Sequence, residues 1–597
     1  MPTSLFRIAP MQRFRLGAAS ELVYFSPSRT AKTLPTHVVD ALSSRLSFSP
    51  LEDHARALSS LVDRPLALLE ELRTLGGLLS LDDLMASARG QCSATLVHPR
   101  ITCITIPTNG RVRELEAALD SYIPICKPRG RDFRFFIADD SPISDRQKKT
   151  RTIVENSARS SKVPIHYAGY EEKENFVEAL ASVCDVPRDI IEFALLPDPH
   201  CPITIGANRN AVLLHTVGEL LLSADDDTIC RSATAATSIQ RSALIFGNDL
   251  DFAEVRFFKD RRAALRFVKD VDMDVIDEHE TLLGRSLLEL IVLDRHGTIK
   301  FNNTCNHLIE NMYSGQGAIR MTYCGVVGDS GMDSSESIGI HPGLLTRQWC
   351  TTSEEAYRES IVGREIVRQF FSPTITHTGA PMTTAVGIDN RWLLPPFFPK
   401  FRNEDGIFAA TLRRCTQSAF FGHLPFVLTH NPLDIRRNRP NYWATVRISD
   451  YIIQCILSWP EPIGSSVTEK RMKSLGNHLV EIASQASGDF NETMRVLLLA
   501  RSARTIEHLE ALLLRFQNKP DFWAQDLRLR IDEISHAMMR PTVSMPSDME
   551  NEPRAFWNQS VAQSLVMRYG QLLYSWPEIV AATLAISKRG VRLGRRL

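Results

Sequence analysis

Residues Gly218–Thr228 read GELLLSADDDT. The apolar run Leu220–Leu222 has the length of a short buried strand, and Asp225, Asp226 and Asp227 follow where that strand should leave its sheet. Three adjacent carboxylates repel one another unless a cation joins them. Alternate residues of an extended segment face the same way, so Asp225 and Asp227 are expected to address one site, with Asp226 the more expendable. Hard oxygen ligands favour magnesium or manganese, so this D-x-D pattern suits a divalent metal that itself holds a diphosphate. The alternative is a solvated acidic turn, and the surrounding sequence decides between them.

Upstream, ITCITIPT (Ile101–Thr108), DFRFFIADDS (Asp132–Ser141) and VPIHYAGY (Val163–Tyr170) read as three further strands. RVRELEAALDSYI (Arg111–Ile123) has apolar residues at helical spacing, and ITIGANRNAVLLHTV (Ile203–Val217) reads as a helix entered through Gly206. This alternation predicts an α/β fold with a mostly parallel sheet covered by helices on both faces. Ligands in such sheets bind beyond the carboxyl ends of the strands. Three polar clusters fall at such ends: Pro107–Asn109, Asp139–Asp140 and Asp225–Asp227.

Four of these pieces in order, ITIPTNGR, IADDS, GANRN and SADDDT, resemble family-two-type glycosyltransferases of the GT-A fold. The resemblance covers roughly residues 98–440. It implies that Pro107, Thr108 and Arg111 line a nucleotide pocket and that Asp140 or Asp139 bonds the base or ribose. It implies that Arg209 reaches the nucleotide or diphosphate, that Asp225 contacts the ribose or the metal shell, and that Asp227 ligates the metal. Further on, PPFFPKFRNEDGIFAATL (Pro395–Leu412) places Glu404-Asp405 at the start of a helix. In inverting enzymes of this kind a similar pair supplies the base that takes the acceptor's proton, here Asp405 with Glu404 as alternate. FGHLPFVLTHNP ends a strand at His430, the expected histidine ligand of metal or diphosphate, with His423 second. The implied activity is metal-dependent glycosyl transfer from a nucleotide-diphosphate donor, a UDP-sugar, to a soluble acceptor such as a peptide or protein. The residue-level alternatives are helix-capping carboxylates at 139–140 and 404–405 and a surface arginine at 209. The alternatives for the whole chain are a sugar-phosphate nucleotidyltransferase, disfavoured by the single glycine of PTNGR, and a non-catalytic nucleotide-sugar-binding or scaffold protein.

Composition narrows the class. With 597 residues, 69 basic against 69 acidic side chains, and 44% hydrophobic content, the chain is a multidomain globular protein with no charge bias toward nucleic acid. Its 11 cysteines form no C-x-x-C and are odd in number, which fits a reducing cytoplasm better than a disulfide framework. No apolar stretch reaches the length of a membrane span, and the N-terminus lacks the apolar core of a secretory signal.

Three domains are expected. Residues 1–95 read as a small unit of short helices with little strand, resembling the winged-helix-like leader-peptide recognition domains attached to peptide-modifying enzymes; a plain helical cap is the alternative. Residues 96–440 carry the GT-A-like domain. Residues 441–597 form an all-helical domain suited to packing or homo-oligomerisation, ending in a basic tail (Lys588–Arg596) expected to be solvated. Asn302–Ser335, rich in Gly, Ser and Asn, reads as long loops over the site, with Gly325–Ser335 a potential lid and Asp329 and Asp333 unplaced.

Overall fold

The computed structural model describes residues 4–91, 100–126, 133–141, 145–198, 200–201, 203–235, 243–247, 253–294, 298–331, 346, 348–349, 352–377, 384–433, 445–462, 466–515, 520–549 and 558–597. Asp333 and the rest of the segment 332–345 lie outside them.

Ile101–Thr108 lies near the middle of a 15-stranded mixed sheet. It pairs in parallel with Arg134–Asp139 on one side and Leu220–Ala224 on the other. Ile165–Ala168 extends the first side in parallel. On the second side Ala385–Asp389 runs antiparallel to both Leu220–Ala224 and Ala318–Asp329, which is itself parallel to Ala419–His430. These strands are buried on both faces almost without interruption, which is why they read as apolar runs rather than as alternating ones. Pro107 is tolerated in a central strand because pairing toward Leu220–Ala224 ends at Thr105–Ser223.

The chain builds the sheet outward from Ile101–Thr108 in one direction. It then passes through the helices Tyr170–Ala181, Arg188–Leu195 and Ile205–His215 and returns on the opposite side as Leu220–Ala224. That reversal opens a crevice at the strand ends between the two halves. The carboxyl ends of the parallel strands, at Thr108, Asp139, Ala224, Asp329 and His430, share one edge with the amino end of Ala385–Asp389.

Two expectations need correction here. Asn302–Ser314 and Ala318–Asp329 are not lid loops: they form a short strand, the helix Asn306–Ser314 and a long, buried central strand. The glycines that suggested flexibility serve close approach. A Cβ on Gly325 would stand 2.2 Å from the Arg368 carbonyl oxygen, and one on Gly328 2.1 Å from that of His430. The N-terminal unit also holds more strand than expected. Met11–Arg15, Ser20–Phe25 and Thr30–Pro35 form an antiparallel sheet, and Phe6–Ile8 pairs with Leu78–Ser80. The helices Thr36–Ser43, Leu51–Leu58, Pro65–Thr74 and Leu81–Gln91 complete it. The Ser49 backbone pairs with Phe6 just ahead of the second of these helices. This unit shares one continuous apolar core with the face of the large sheet carrying Val112–Cys126.

The segment after 445 is helical throughout its long elements, as its apolar stripes predict. Thr468–Ala483 and Gln559–Ser587 cross at Gly476 and Gly570, where a Cβ on either would come within 2.8 Å of the other's carbonyl oxygen. The basic tail is less free than expected: Arg595–Arg596 pairs antiparallel with Ile165–Ala168, and the Leu593 carbonyl accepts a 2.6 Å bond from His215 Nδ1. No helix among the described residues is long and apolar enough to cross a membrane.

Candidate active site

The acidic segment is a turn rather than a continued strand. Leu220–Ala224 ends before it, and the Thr228 amide donates to the Asp225 carbonyl at 3.1 Å. The simple alternation of an extended chain therefore does not apply: Asp225 goes to one arginine, while Asp226 and Asp227 share another. Asp225 accepts from Arg209 Nη2 at 2.9 Å. Asp226 accepts from Thr108 Oγ1 and from Arg111 Nη1, each at 2.7 Å. Asp227 accepts from the same Arg111 nitrogen at 2.7 Å and lies 3.0 Å from His430 Nε2. Asp226 is thus not the expendable member: it is buried and ties the end of the first strand to the turn.

Thr228 continues into a strand, Thr228–Ala235, that pairs with Ala419–His430 and sets Thr228 opposite His430. The Asn431 amide closes the arrangement by donating to the Asp227 carbonyl at 2.8 Å. His430 Nδ1 donates to the Asp329 carbonyl, which places Asp329 at the site's edge through its backbone. The Asp329 carboxylate accepts from Arg364 Nε at 3.2 Å.

Electrostatics separate the carboxylates. Burial pushes Asp226 up to about 7 against the pull of Arg111, with Asp227 adding to the rise. Burial also raises Asp225, only partly countered by Arg209. For Asp227 burial is outweighed by His430 and Arg111, and its pKa falls below the ordinary carboxylate range. His430 is raised, because Asp227 outweighs the burial that disfavours its charge.

Arg209, 3% exposed on the helix Ile205–His215, joins the turn to the Glu404-Asp405 pair. Its Nε donates to Glu404 Oε1 at 3.1 Å while Nη2 holds Asp225. Burial opposes its charge, but Asp225, Glu404 and Asp405 outweigh it and raise its pKa. Gly206 lets this helix start against the 397–401 segment: a Cβ there would lie 1.9 Å from the Phe398 carbonyl oxygen. That segment is fixed from the C-terminal helix, where Tyr569 Oη donates to the Pro396 carbonyl at 3.1 Å and Trp576 Nε1 to that of Leu394 at 2.8 Å. Two non-glycine residues with left-handed backbone, Phe401 (φ 63°) and Asn403 (φ 69°), then turn the chain into the helix Glu404–Cys415. Such strain needs the surrounding packing to hold it and clusters at functional sites. Burial, with Glu404 beside it, pushes Asp405 up to about 7.

The residues matched to base or ribose recognition are held by other side chains. Asp139 accepts from the Ser141 amide at 2.8 Å and from Tyr167 Oη at 2.7 Å. Asp140 accepts from Lys173 Nζ at 2.6 Å and from Thr204 Oγ1. Lys173, fully buried, also donates to Asn208 Oδ1 at 2.6 Å, and Asn208 Nδ2 donates to the Thr108 carbonyl at 2.9 Å. The second strand end is thereby braced to the helix carrying Arg209. Lys173, Thr204 and Asn208 escaped notice in the sequence; only the unusual lysine on the buried face of Tyr170–Ala181 signals the first of them. His423 lies away from this edge. It stacks on Phe370 at 4.2 Å and sits 3.0 Å from Thr376 Oγ1, and burial holds it neutral with a pKa of about 3.

Among the described residues no group of three or more His, Cys, Asp or Glu stands as a formed metal cage. The donor chemistry nevertheless fits a hard or borderline divalent cation. Asp225 and Asp227 feel each other and His430; His430 bonds a carbonyl through Nδ1 and faces Asp227 through Nε2 at 3.0 Å, so a bound cation would replace the Nε2 proton and its contact with Asp227. Compared with known proteins, the chain matches no family model and no curated sequence.

Proposed function

We propose that this protein is a metal-dependent glycosyltransferase that moves a sugar from a nucleotide-diphosphate donor, a UDP-sugar, to a soluble acceptor such as a peptide or protein. The observation that carries the reading is Arg209 bridging Asp225 to Glu404, which brings the acidic turn and the E-D pair to one crevice. The crevice lies where the strand order reverses, the usual place for a nucleotide in an open α/β sheet. The GT-A resemblance of the motifs that line it supports the same reading.

On this proposal Asp225, Asp227 and His430 would hold magnesium or manganese, which when bound offsets negative charge on the departing diphosphate. Thr108, Arg111 and Asp226 form the wall on the nucleotide side. Asp405, with a pKa near 7, is suited to take a proton from the acceptor as its nucleophile attacks the anomeric carbon. The bond from that carbon to the diphosphate oxygen breaks, its electron pair leaves with UDP, and the configuration inverts.

The test is to incubate the full chain with a panel of nucleotide sugars, with manganese or with chelator, and to follow nucleotide diphosphate release. Release that needs metal and disappears in Asp227→Ala supports the proposal. Pyrophosphate formation from a sugar phosphate and a nucleoside triphosphate would establish the nucleotidyltransferase instead. Absence of nucleotide binding and of turnover would sink both.

A further inference from the structure

Asp227 and His430, which would share a cation, belong to different chain segments, and a third segment ties them together. Arg261 opens the helix Arg261–Phe267, whose start is capped by the Asp260 carboxylate accepting from the Ala263 amide at 2.8 Å. Its guanidinium forks onto Glu365, Nε to Oε2 and Nη2 to Oε1, the second bond 2.9 Å long. Its remaining nitrogen, Nη1, donates to Asn431 Oδ1. Asn431 directly follows His430 and donates its own amide to the Asp227 carbonyl at 2.8 Å. Glu365 stands opposite Asp329 in antiparallel pairing, and the Asp329 carbonyl accepts from His430 Nδ1.

These contacts close a ring. It runs from Asp227 Oδ1 to His430 Nε2 at 3.0 Å, through Asp329, Glu365, Arg261 and Asn431, and back to the Asp227 carbonyl. Arg261 alone of these members reaches the ring from a helix. Gly328 makes room for it: a Cβ there would meet the His430 carbonyl oxygen at 2.1 Å and Arg261 Nε at 3.5 Å. The guanidinium therefore lies over the place where the ends of two strands meet. Asn431 is exposed, so packing does little to fix it, whereas the fork onto Glu365 gives Arg261 a set direction. We propose that Arg261 is a positioning residue: it touches neither substrate nor cation, and through Asn431 and Glu365 it sets the spacing and aim of Asp227 and His430 toward a divalent cation. This rests on the reading of Asp227 and His430 as ligands of that cation. Outer partners of metal ligands act in this way, and their loss weakens metal binding by about tenfold to a hundredfold.

The experiment is titration of the full chain with manganese in the presence of UDP, followed by electron paramagnetic resonance, in wild type, Arg261→Met, Arg261→Lys, Asn431→Ala and the Arg261→Met/Asn431→Ala double variant. Titrations run well below the unfolding midpoint of each variant, so a folded but less stable protein is still read. Pulsed measurements on the bound manganese report nitrogen coupling from a histidine, and its loss in His430→Gln assigns it. Arg261→Met should weaken manganese binding by about tenfold to a hundredfold and diminish the nitrogen coupling. Arg261→Lys should regain part of the affinity. The double variant should bind within about threefold of the weaker single variant, because both substitutions break the same link. The thermal midpoint of Arg261→Met should stay within about two degrees of wild type, since a partly exposed ion pair contributes little to folding. Wild-type affinity and coupling in Arg261→Met, or a midpoint fall of several degrees with the coupling intact, overturns the proposal and leaves the glycosyltransferase reading standing. No manganese binding by wild type, or nitrogen coupling that persists in His430→Gln, overturns the proposal together with the ligand set it rests on. Histidine-coupled manganese that depends on Arg261, in a protein that releases no UDP from any UDP-sugar, supports the positioning role and defeats the glycosyltransferase reading instead.

Discussion

Replacing Asp405 with Asn should make the protein more stable and inactive at once. Burial beside Glu404 moves this carboxyl from 3.8 to about 7. The folded protein then holds the Asp405 proton more tightly than the unfolded chain does. Folding takes up a proton between those two values, and the stability Asp405 leaves to the fold declines as pH rises across that window. At pH 8 the full difference corresponds to about 4 kcal/mol, at 1.36 kcal/mol per pKa unit. Asp405 is half-buried, so screening by water offsets part of that, leaving about 2 kcal/mol. Thermal unfolding followed by calorimetry at pH 5 and pH 8 measures the effect. Asp405→Asn should unfold at a higher temperature than wild type at pH 8, by about 1–2 °C for a chain of this size, with a smaller gap at pH 5. Metal-dependent transfer should fall by at least about a hundredfold, the scale of a positioned general base. A variant that is less stable than wild type at pH 8, or equally shifted at both pH values, would show that Asp405 is a structural helix-start carboxylate and would refute the argument.

Four other outcomes are expected. On the proposed role of Asp227 as a metal ligand, Asp227→Ala should lower manganese-stimulated donor hydrolysis by at least about a hundredfold while leaving the folded circular dichroism spectrum intact. Lys173→Met should destabilise the protein by about 3–5 kcal/mol, because Asp140 is left buried with a hydroxyl as its remaining side-chain partner; adding Asp140→Asn should recover much of the loss in a double-mutant cycle of denaturation midpoints. Gly570→Ala should lower the thermal midpoint through about 1–3 kcal/mol of overpacking, since its new methyl would sit 2.8 Å from the Gly476 carbonyl oxygen. Transfer rate measured against pH should rise as the pH passes about 7 and Asp405 loses its proton, and Asp405→Asn should remove that limb.

Much of the sheet was legible because its strands are buried on both sides. ITCITIPT and GELLLSA carry their burial as continuous apolar runs, and the acids that follow them mark strand ends. Ala318–Asp329 was misread for the opposite reason: Gly325 and Gly328 signal loops, yet in place they let neighbouring backbones approach more closely than any side chain permits. The strands of the N-terminal unit alternate over a few residues and face outward with Arg13 and Lys32, a pattern too short to stand against its helical neighbours. Within the site, residues at strand ends could be found from spacing. Asp225, Asp227, Glu404, Asp405 and His430 all reach the same edge. Asp226 was undervalued because the acidic triplet turns, so its middle member faces Thr108 rather than solvent. Lys173 is marked in the sequence only by its place on the apolar face of its helix, which says nothing of which carboxylate awaits it.

The pairing of Arg595–Arg596 with Ile165–Ala168 bears on how the protein is made. The ribosome delivers Ile165–Ala168 long before the residues that cover its outer edge. Until they arrive, the nascent sheet presents a row of unpaired backbone groups beside a parallel core that is itself slow to assemble. The helices between 448 and 587 must be synthesised in that interval. Over this stretch of translation the growing chain should be most prone to edge-to-edge aggregation and most dependent on chaperones.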